Sequence, residues 1–277
     1  MDMIVGIIGT GTMGTILIDA FIASEALRAE QLIITNRSLQ KARVIANKHK
    51  RIKVASENIE VIRKANLLFI CVKPKELFHV FQEMQSIIKP EQCVVTITSP
   101  LSETQLDYLV KCSTARIIPS ITNRALSGVS LFTFGKSCTN EWRKKLYQLF
   151  EKVSTPIEID KSNTRIAADI TSCGPAFISF LLQKFIQAAV DVGGMNEVQT
   201  MKLTEEMIIG FAELLKKNHY NLVTLQNKVC VKGGITGEGI RVLENGVGTM
   251  FEEMFKATNA KFVEDVQFLE TQIGKEF

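Results

Sequence analysis

Six residues near the start of the chain, Gly9-Thr10-Gly11-Thr12-Met13-Gly14, constrain its fold more than any other segment. They follow a continuous apolar run at residues 3–8 and precede apolar residues at helical spacing over 13–24. In such a strand-to-helix connection the first glycine turns the chain and the second lets a ligand reach the backbone. The third lets helix pack closely on sheet. The free N–H groups and dipole at the start of the helix suit an anion such as a pyrophosphate. The spacing predicts a bound dinucleotide in contact with Gly9, Thr10, Gly11, Thr12 and Met13; a purely structural turn is the alternative.

The same alternation continues to about residue 160. Apolar runs at 32–35, 52–55, 67–72, 94–97, 115–118, 130–134 and 156–159 are separated by helical patterns at 39–48, 59–63, 76–88 and 103–110. Runs such as Leu67-Leu68-Phe69-Ile70-Cys71-Val72 are apolar throughout, which suits strands covered on both faces. The expectation is an α/β fold with a Rossmann-type, doubly wound parallel sheet over residues 1–160. After Asp160, long helical stretches punctuated by Gly193-Gly194 and Gly233-Gly234 replace the strands. Residues 161–277 are expected to form an all-helical domain, with Asp160 and Ser162 as candidate N-caps. Apolar faces on several of these helices point to an oligomer interface.

Composition excludes several alternatives. A net charge of +4 with scattered Lys and Arg gives no basis for nucleic-acid binding. The N-terminus lacks a basic leader, and the apolar stretch 177–190 is short for a bilayer span and carries Gln183, Lys184 and Gln187, so no membrane is expected. Six cysteines, at 71, 93, 112, 138, 173 and 230, include no CxxC pair and read as free thiols of a cytoplasmic protein. Three histidines without ligand spacing make no metal site.

The end of the second strand bears on the cofactor. An NAD-selective site places Asp or Glu there against the ribose hydroxyls. This chain has Asn36-Arg37-Ser38, with no carboxylate to repel a 2′-phosphate and a guanidinium to hold it. NADP(H) is therefore favoured over NAD(H). The plainer reading, in which Asn36 and Ser38 turn the chain and cap the next helix while Arg37 is solvated, is compatible with it.

The fourth strand closes with Val72-Lys73-Pro74, and other segments follow in order: Asn58 ahead of that strand, Arg116-Ile117-Ile118-Pro119 with Gly128, Thr171-Ser172-Cys173-Gly174-Pro175-Ala176-Phe177, and Val231-Lys232-Gly233-Gly234-Ile235-Thr236. Over nearly its whole length the chain resembles the pyrroline-5-carboxylate reductase family. The resemblance implies a Rossmann domain with a helical dimerisation domain, and reduction of a cyclic imino acid to proline by NADPH. It also implies cofactor contacts from Asn58, Val72, Lys73 and Pro74. Substrate would be bound by Val231, Lys232, Gly233, Gly234, Ile235 and Thr236, with Gly233, Gly234 and Ile235 offering backbone N–H groups and the Thr236 hydroxyl meeting the ring nitrogen. A hydroxyl there can orient an imine and relay a proton; the alternative for Thr236 is an ordinary helix N-cap.

Departures from the family pattern gather on the substrate side. Val231 stands where the family has Ser, and Lys232 where it has Pro. Ser120-Ile121-Thr122-Asn123 replaces Asn-Thr-Pro-Ala, Ser172 replaces a glycine and Phe177 a tyrosine. The lost hydrogen bond at Val231 is worth roughly 1.5–3 kcal/mol, enough to weaken but not abolish carboxylate binding. Lys232 either partly offsets that loss or faces solvent. The pattern resembles a divergent, reductase-like branch of the family associated with late-competence operons. Two further readings stand beside a reductase: a regulatory protein that binds NADP(H) with little turnover, and a β-hydroxyacid dehydrogenase. The latter needs a Lys on the interdomain helix, and residues 166–177 contain none.

Overall fold

A computed structural model describes residues 3–273. Eight strands form one sheet: β1 (Val5–Ile8), β2 (Leu32–Thr35), β3 (Lys53–Val54), β4 (Leu67–Ile70), β5 (Cys93–Thr96), β6 (Ser113–Ile118), β7 (Val129–Phe134) and β8 (Thr155–Glu158). Their spatial order is β3-β2-β1-β4-β5-β6-β7-β8. Every apolar run read from the sequence is a strand, and the reason is visible in the packing. Along β1, β2 and β4 successive residues face opposite apolar layers: Val5, Ile7, Leu32, Ile34, Leu67 and Phe69 one way, and Ile8, Ile33, Leu68 and Ile70 the other.

Helices α1 (Thr12–Ala23) and α2 (Leu39–Lys48) cover the first layer. The second is covered by α3 (Asn58–Lys64), α4 (Pro74–Gln85) and α5 (Glu103–Leu109). A sixth helix, α6 (Asn140–Phe150), joins α1 and α2 by burying Trp142, Leu146, Leu149 and Phe150. Its phenylalanine meets Phe21 edge-on at 5.5 Å and Phe69 at 6.0 Å, locking helices to sheet.

The wholly parallel sheet expected from the sequence needs one correction, because β7 runs antiparallel to β6. Residues 119–128 join these strands through only a 3-10 turn, Ile121–Ala125, and without a crossover helix the chain must reverse. The connection from β7 to β8 does contain a helix, α6, and that pair is parallel again.

Beyond β8 the chain is helical. A 3-10 turn (Lys161–Asn163) leads into α7 (Thr164–Ala168), a π-turn (Asp169–Cys173) and α8 (Gly174–Gly193). Asp160 takes the N-cap position of that run without a side-chain hydrogen bond. Because these pieces continue into one another, Lys161–Gly193 is a single 33-residue helical stretch, long and apolar enough by length and composition to cross a membrane. The 177–190 segment is thus the middle of a longer helix than the sequence suggested. The remaining helices are α9 (Glu197–Lys216), α10 (Leu222–Val229), α11 (Ile235–Val247) and α12 (Met250–Ile273). The last runs unbroken for 24 residues.

The chain separates into two compact units: one runs to Pro175 and resumes at Ala257, the other is Ala176–Lys256. Texture alone drew the division at residue 160. Packing carries the arm after that point with the sheet, since Ala168 packs on Ile118 and Leu131, and Leu269 of α12 lies in the layer over α3 and α4. Within the second unit, the only buried side chains among the described residues are Thr200 and Thr204. Ile178, Phe180, Phe185, Val192, Val198 and Val242 are all half or more exposed. This unit has no apolar core of its own.

Candidate active site

From β1 the chain builds outward through β2 and β3 on one side, then crosses from β3 to β4 on the other side of β1, so the strand order reverses at the β1–β4 boundary. In open α/β sheets the crevice at the carboxyl ends of the strands at such a reversal is where ligands bind. Residues Gly9–Gly14 and Cys71–Pro74 follow β1 and β4 at that crevice. Gly9 adopts φ +100°, and a side chain there would meet the Cys71 carbonyl oxygen at 2.6 Å. Gly14 is needed for helix packing, because a Cβ would lie 2.1 Å from the Gly9 carbonyl oxygen. Gly11 differs: its φ of −73° suits any residue, and a Cβ would meet nothing within 4 Å. Nothing in the protein requires glycine at that position, and the space beside it is open to a ligand.

Two further features suit an anionic dinucleotide. The N-terminus of α1 has Gly11 as its N-cap, no side-chain cap and no acidic residue in its first turn. The Thr10 hydroxyl is buried without a hydrogen-bond partner, one of two such side-chain atoms among the described residues. An open glycine, uncapped N–H groups and an orphaned hydroxyl together fit the group that the sequence predicts.

The residues after β2 are arranged less freely than expected. The Asn36 side-chain carbonyl accepts the Thr10 N–H at 3.0 Å, and its amide donates to the Ser38 carbonyl at 3.1 Å. Asn36 therefore ties the glycine loop to the β2–α2 turn, with one amide hydrogen left over. Ser38 is the N-cap of α2 but its hydroxyl makes no capping bond. Arg37 is exposed and ion-paired with Glu76 of α4 at 2.6 Å. Asn58, the first residue of α3, donates to Glu83 at 2.7 Å. Neither glutamate drew attention in the sequence; their seven-residue spacing on the helix after β4 was the available signal. Lys73 is exposed as the N-cap of α4, and Pro74 takes the first helical position, where a missing N–H costs nothing.

On the other wall, Thr98 follows β5 and its hydroxyl reaches the Val72 carbonyl at 3.5 Å. This loop is held by Arg116, which sequence reading cited only within a motif. Its guanidinium is buried and donates to the carbonyls of Ser99 and Leu101 at 3.1 and 3.2 Å, to Thr133 at 3.1 Å and to Thr164 at 2.7 Å. Glu103 lies 3.3 Å away as counter-charge. Burial lowers the arginine's pKa and the glutamate's charge opposes that shift. With its donors spent, Arg116 braces the crevice wall and the start of the helical arm.

The segment 230–236 lies in the second unit, between α10 and α11. Gly233 has φ +75°, in the left-handed region open to glycine. Gly234 is the N-cap of α11, and its N–H is spent on the Val231 carbonyl at 2.9 Å. Gly234 was expected to offer that N–H to substrate, and the tight turn withdraws it. Thr236 is the second residue of the helix rather than its N-cap; its side chain is exposed and forms no hydrogen bond among the described residues. Val231, Lys232 and Ile235 are exposed as well, Ile235 by 93%. No cluster of three metal-ligating side chains occurs among the described residues.

Comparison with known proteins agrees with this architecture. Residues 161–265 match the family described as pyrroline-5-carboxylate reductase dimerisation, and residues 4–100 match NADP oxidoreductase coenzyme F420-dependent. ComE operon protein 4 of Bacillus subtilis (strain 168) is 43% identical over 270 residues, covering 98% of this chain and 99% of that one. Pyrroline-5-carboxylate reductase 3 of the same organism is 24% identical, covering 98% of each chain. Among solved structures, a Plasmodium falciparum pyrroline carboxylate reductase with NADP bound shares the fold, with a TM-score of 0.81 at 20% identity over 99% of both chains. The chain belongs to the pyrroline-5-carboxylate reductase family.

Proposed function

We propose that this protein is an NADPH-dependent reductase of pyrroline-5-carboxylate, forming proline, or of a closely related cyclic imino acid. The observation that carries this reading is the glycine loop at the β1–β4 boundary, open beside Gly11 and holding an orphaned Thr10 hydroxyl, in a chain of this family. When bound, a reduced nicotinamide supplies a hydride to the imine carbon. The backbone N–H groups of Gly11, Thr12 and Met13 receive the pyrophosphate, while Gly9 and Thr10, whose own N–H groups are held by Thr35 and Asn36, shape the loop beside it. Arg37, Ser38 and the spare amide hydrogen of Asn36 receive the 2′-phosphate, favouring NADP(H) over NAD(H). Asn58 serves the adenosine, and Val72, Lys73 and Pro74 line the cofactor crevice. Thr236 orients the ring nitrogen of the substrate and passes it a proton as the amine forms. Gly233 and Ile235 offer backbone N–H groups to the carboxylate, beside Val231 and Lys232.

The working form is a homodimer, or a larger assembly built from it, joined through the helical unit. Four to five helices with two buried threonines and many exposed apolar side chains need a second copy to form a core. Six unpaired cysteines suit the reducing cytoplasm.

A second reading, a regulatory NADP(H)-binding paralogue with little proline synthesis, is favoured by a specific set of observations. Val231 and Lys232 replace the family's Ser and Pro, the Gly234 N–H is already spent, and a relative at 43% identity is a ComE operon protein. A panel of cyclic imines offered with NADPH, followed at the nicotinamide absorbance, separates the two. Turnover supports the reductase; saturable NADPH binding without turnover on any imine supports the regulator.

A further inference from the structure

Arg37 and Asn58, the two residues expected at the adenosine end of the cofactor, are both held by carboxylates of one helix. Glu76 and Glu83 lie seven residues apart on α4, about two turns, so they leave the same face. Glu76 pairs with Arg37 at 2.6 Å and Glu83 accepts from Asn58 at 2.7 Å. The Arg37 side chain is 89% exposed and that of Glu76 37%, so the pair lies in water and adds little to the fold's stability. Its consequence falls on what Arg37 can hold.

A 2′-phosphate brings close to two negative charges. At Arg37 it meets a guanidinium whose Nη1 is already paired with Glu76, so it either displaces that carboxylate or binds with it close by. A ribose 2′-hydroxyl brings no charge and can donate to a carboxylate, so it meets no such opposition. We propose that Glu76 is a specificity-determining residue, which restrains the protein's preference for NADP(H) over NAD(H) by occupying Arg37 and repelling the 2′-phosphate. This rests on the assignment of residues 36–38 to the cofactor.

The test is fluorescence titration of NADPH and NADH into the full chain and four variants: Glu76→Gln, Arg37→Met, the two combined, and Glu141→Gln. Glu141 lies on α6, where its neighbour Trp142 bonds the Glu91 carbonyl ahead of β5, at the opposite end of the sheet. Glu76→Gln is expected to tighten NADPH about three- to tenfold, with NADH unchanged. Arg37→Met is expected to weaken NADPH, and in that background Glu76→Gln should gain much less. Glu141→Gln should change neither cofactor. The proposal is overturned if Glu76→Gln leaves NADPH unchanged, if both cofactors tighten together, or if Glu141→Gln gains as much. It is also overturned if the gain persists undiminished without Arg37. Unchanged NADPH binding in Arg37→Met would instead remove the assignment of residues 36–38 itself.

Discussion

Two glycines three residues apart are expected to respond in opposite ways to one added methyl group. A Cβ on Gly14 would lie 2.1 Å from the Gly9 carbonyl oxygen, well inside an ordinary contact of about 3.5 Å. That oxygen belongs to backbone anchored by the Gly9 N–H on the Thr35 carbonyl at 3.0 Å, so it cannot swing aside like a side chain. Gly14→Ala should therefore cost about 1–3 kcal/mol of stability, the usual range for overpacking. Gly11 meets no neighbour within 4 Å and already has an alanine-compatible backbone. Its replacement loses a favourable N-cap, worth about 0.5–1 kcal/mol, but restricts the unfolded chain by about 0.4–1 kcal/mol. The two nearly cancel. The methyl would, however, occupy the approach to the backbone N–H groups. Losing one hydrogen bond to a charged group, about 1.5–3 kcal/mol, weakens binding roughly 10- to 150-fold. Urea unfolding without cofactor and NADPH titration measure the two effects separately. Wild-type NADPH affinity in Gly11→Ala, or equal destabilisation in both variants, would refute the reasoning.

Other expectations follow from buried and clustered groups. Arg116→Met removes the partner of buried Glu103 and should cost about 3–5 kcal/mol in urea unfolding, with part regained on adding Glu103→Gln. For Asp19, burial pushes the carboxyl up, but hydrogen bonds from Lys48 and His49, at 2.7 and 2.6 Å, and their charges outweigh it and hold the pKa below 3.8. A depressed carboxyl stabilises fully above its unfolded pKa and loses that contribution as pH falls through the folded value. Asp19→Asn should thus cost about 0.5–1 kcal/mol at neutral pH, after discounting for partial exposure, and unfolding curves of the two proteins should begin to converge as pH falls below about 4 and meet only below the depressed folded pKa. Phe185→Glu should shift sedimentation from dimer to monomer and remove hydrogen-exchange protection from α8 and α9, because those helices lack a core of their own.

Strands and sheet helices were legible because two-sided burial leaves a strong mark: a run such as Leu67–Ile70 has no polar residue to confuse its reading. α6 was not, since Arg143, Lys144 and Lys145 interrupt its apolar positions, yet Trp142, Leu146, Leu149 and Phe150 still face the core. The reversal of β7 depends on a short connection rather than on the strand itself, so its residues carried no sign of it. At the site, residue types told which groups are present but not which are already engaged. Asn36 read as a phosphate ligand, and its amide proved to bridge two loops. Gly234 read as a donor, and its N–H closes the turn that Gly233 makes possible. Such commitments are set by neighbours that the local pattern does not contain, as with Arg37 and Glu76, 39 positions apart. The open face of Gly11, by contrast, needs only the strand, the turn and the helix that its own segment encodes.

The central claim is that this family member transfers hydride to a cyclic imino acid with Thr236 at the ring nitrogen. Its most direct test is steady-state NADPH oxidation by the purified protein with pyrroline-5-carboxylate and related cyclic imines, run beside Thr236→Ala. Imine-dependent oxidation is expected in the wild type and should fall about 100-fold in the variant, with NADPH affinity unchanged. No imine-dependent oxidation by a protein that binds NADPH would contradict the claim, and equal rates in both proteins would remove Thr236 from the chemistry.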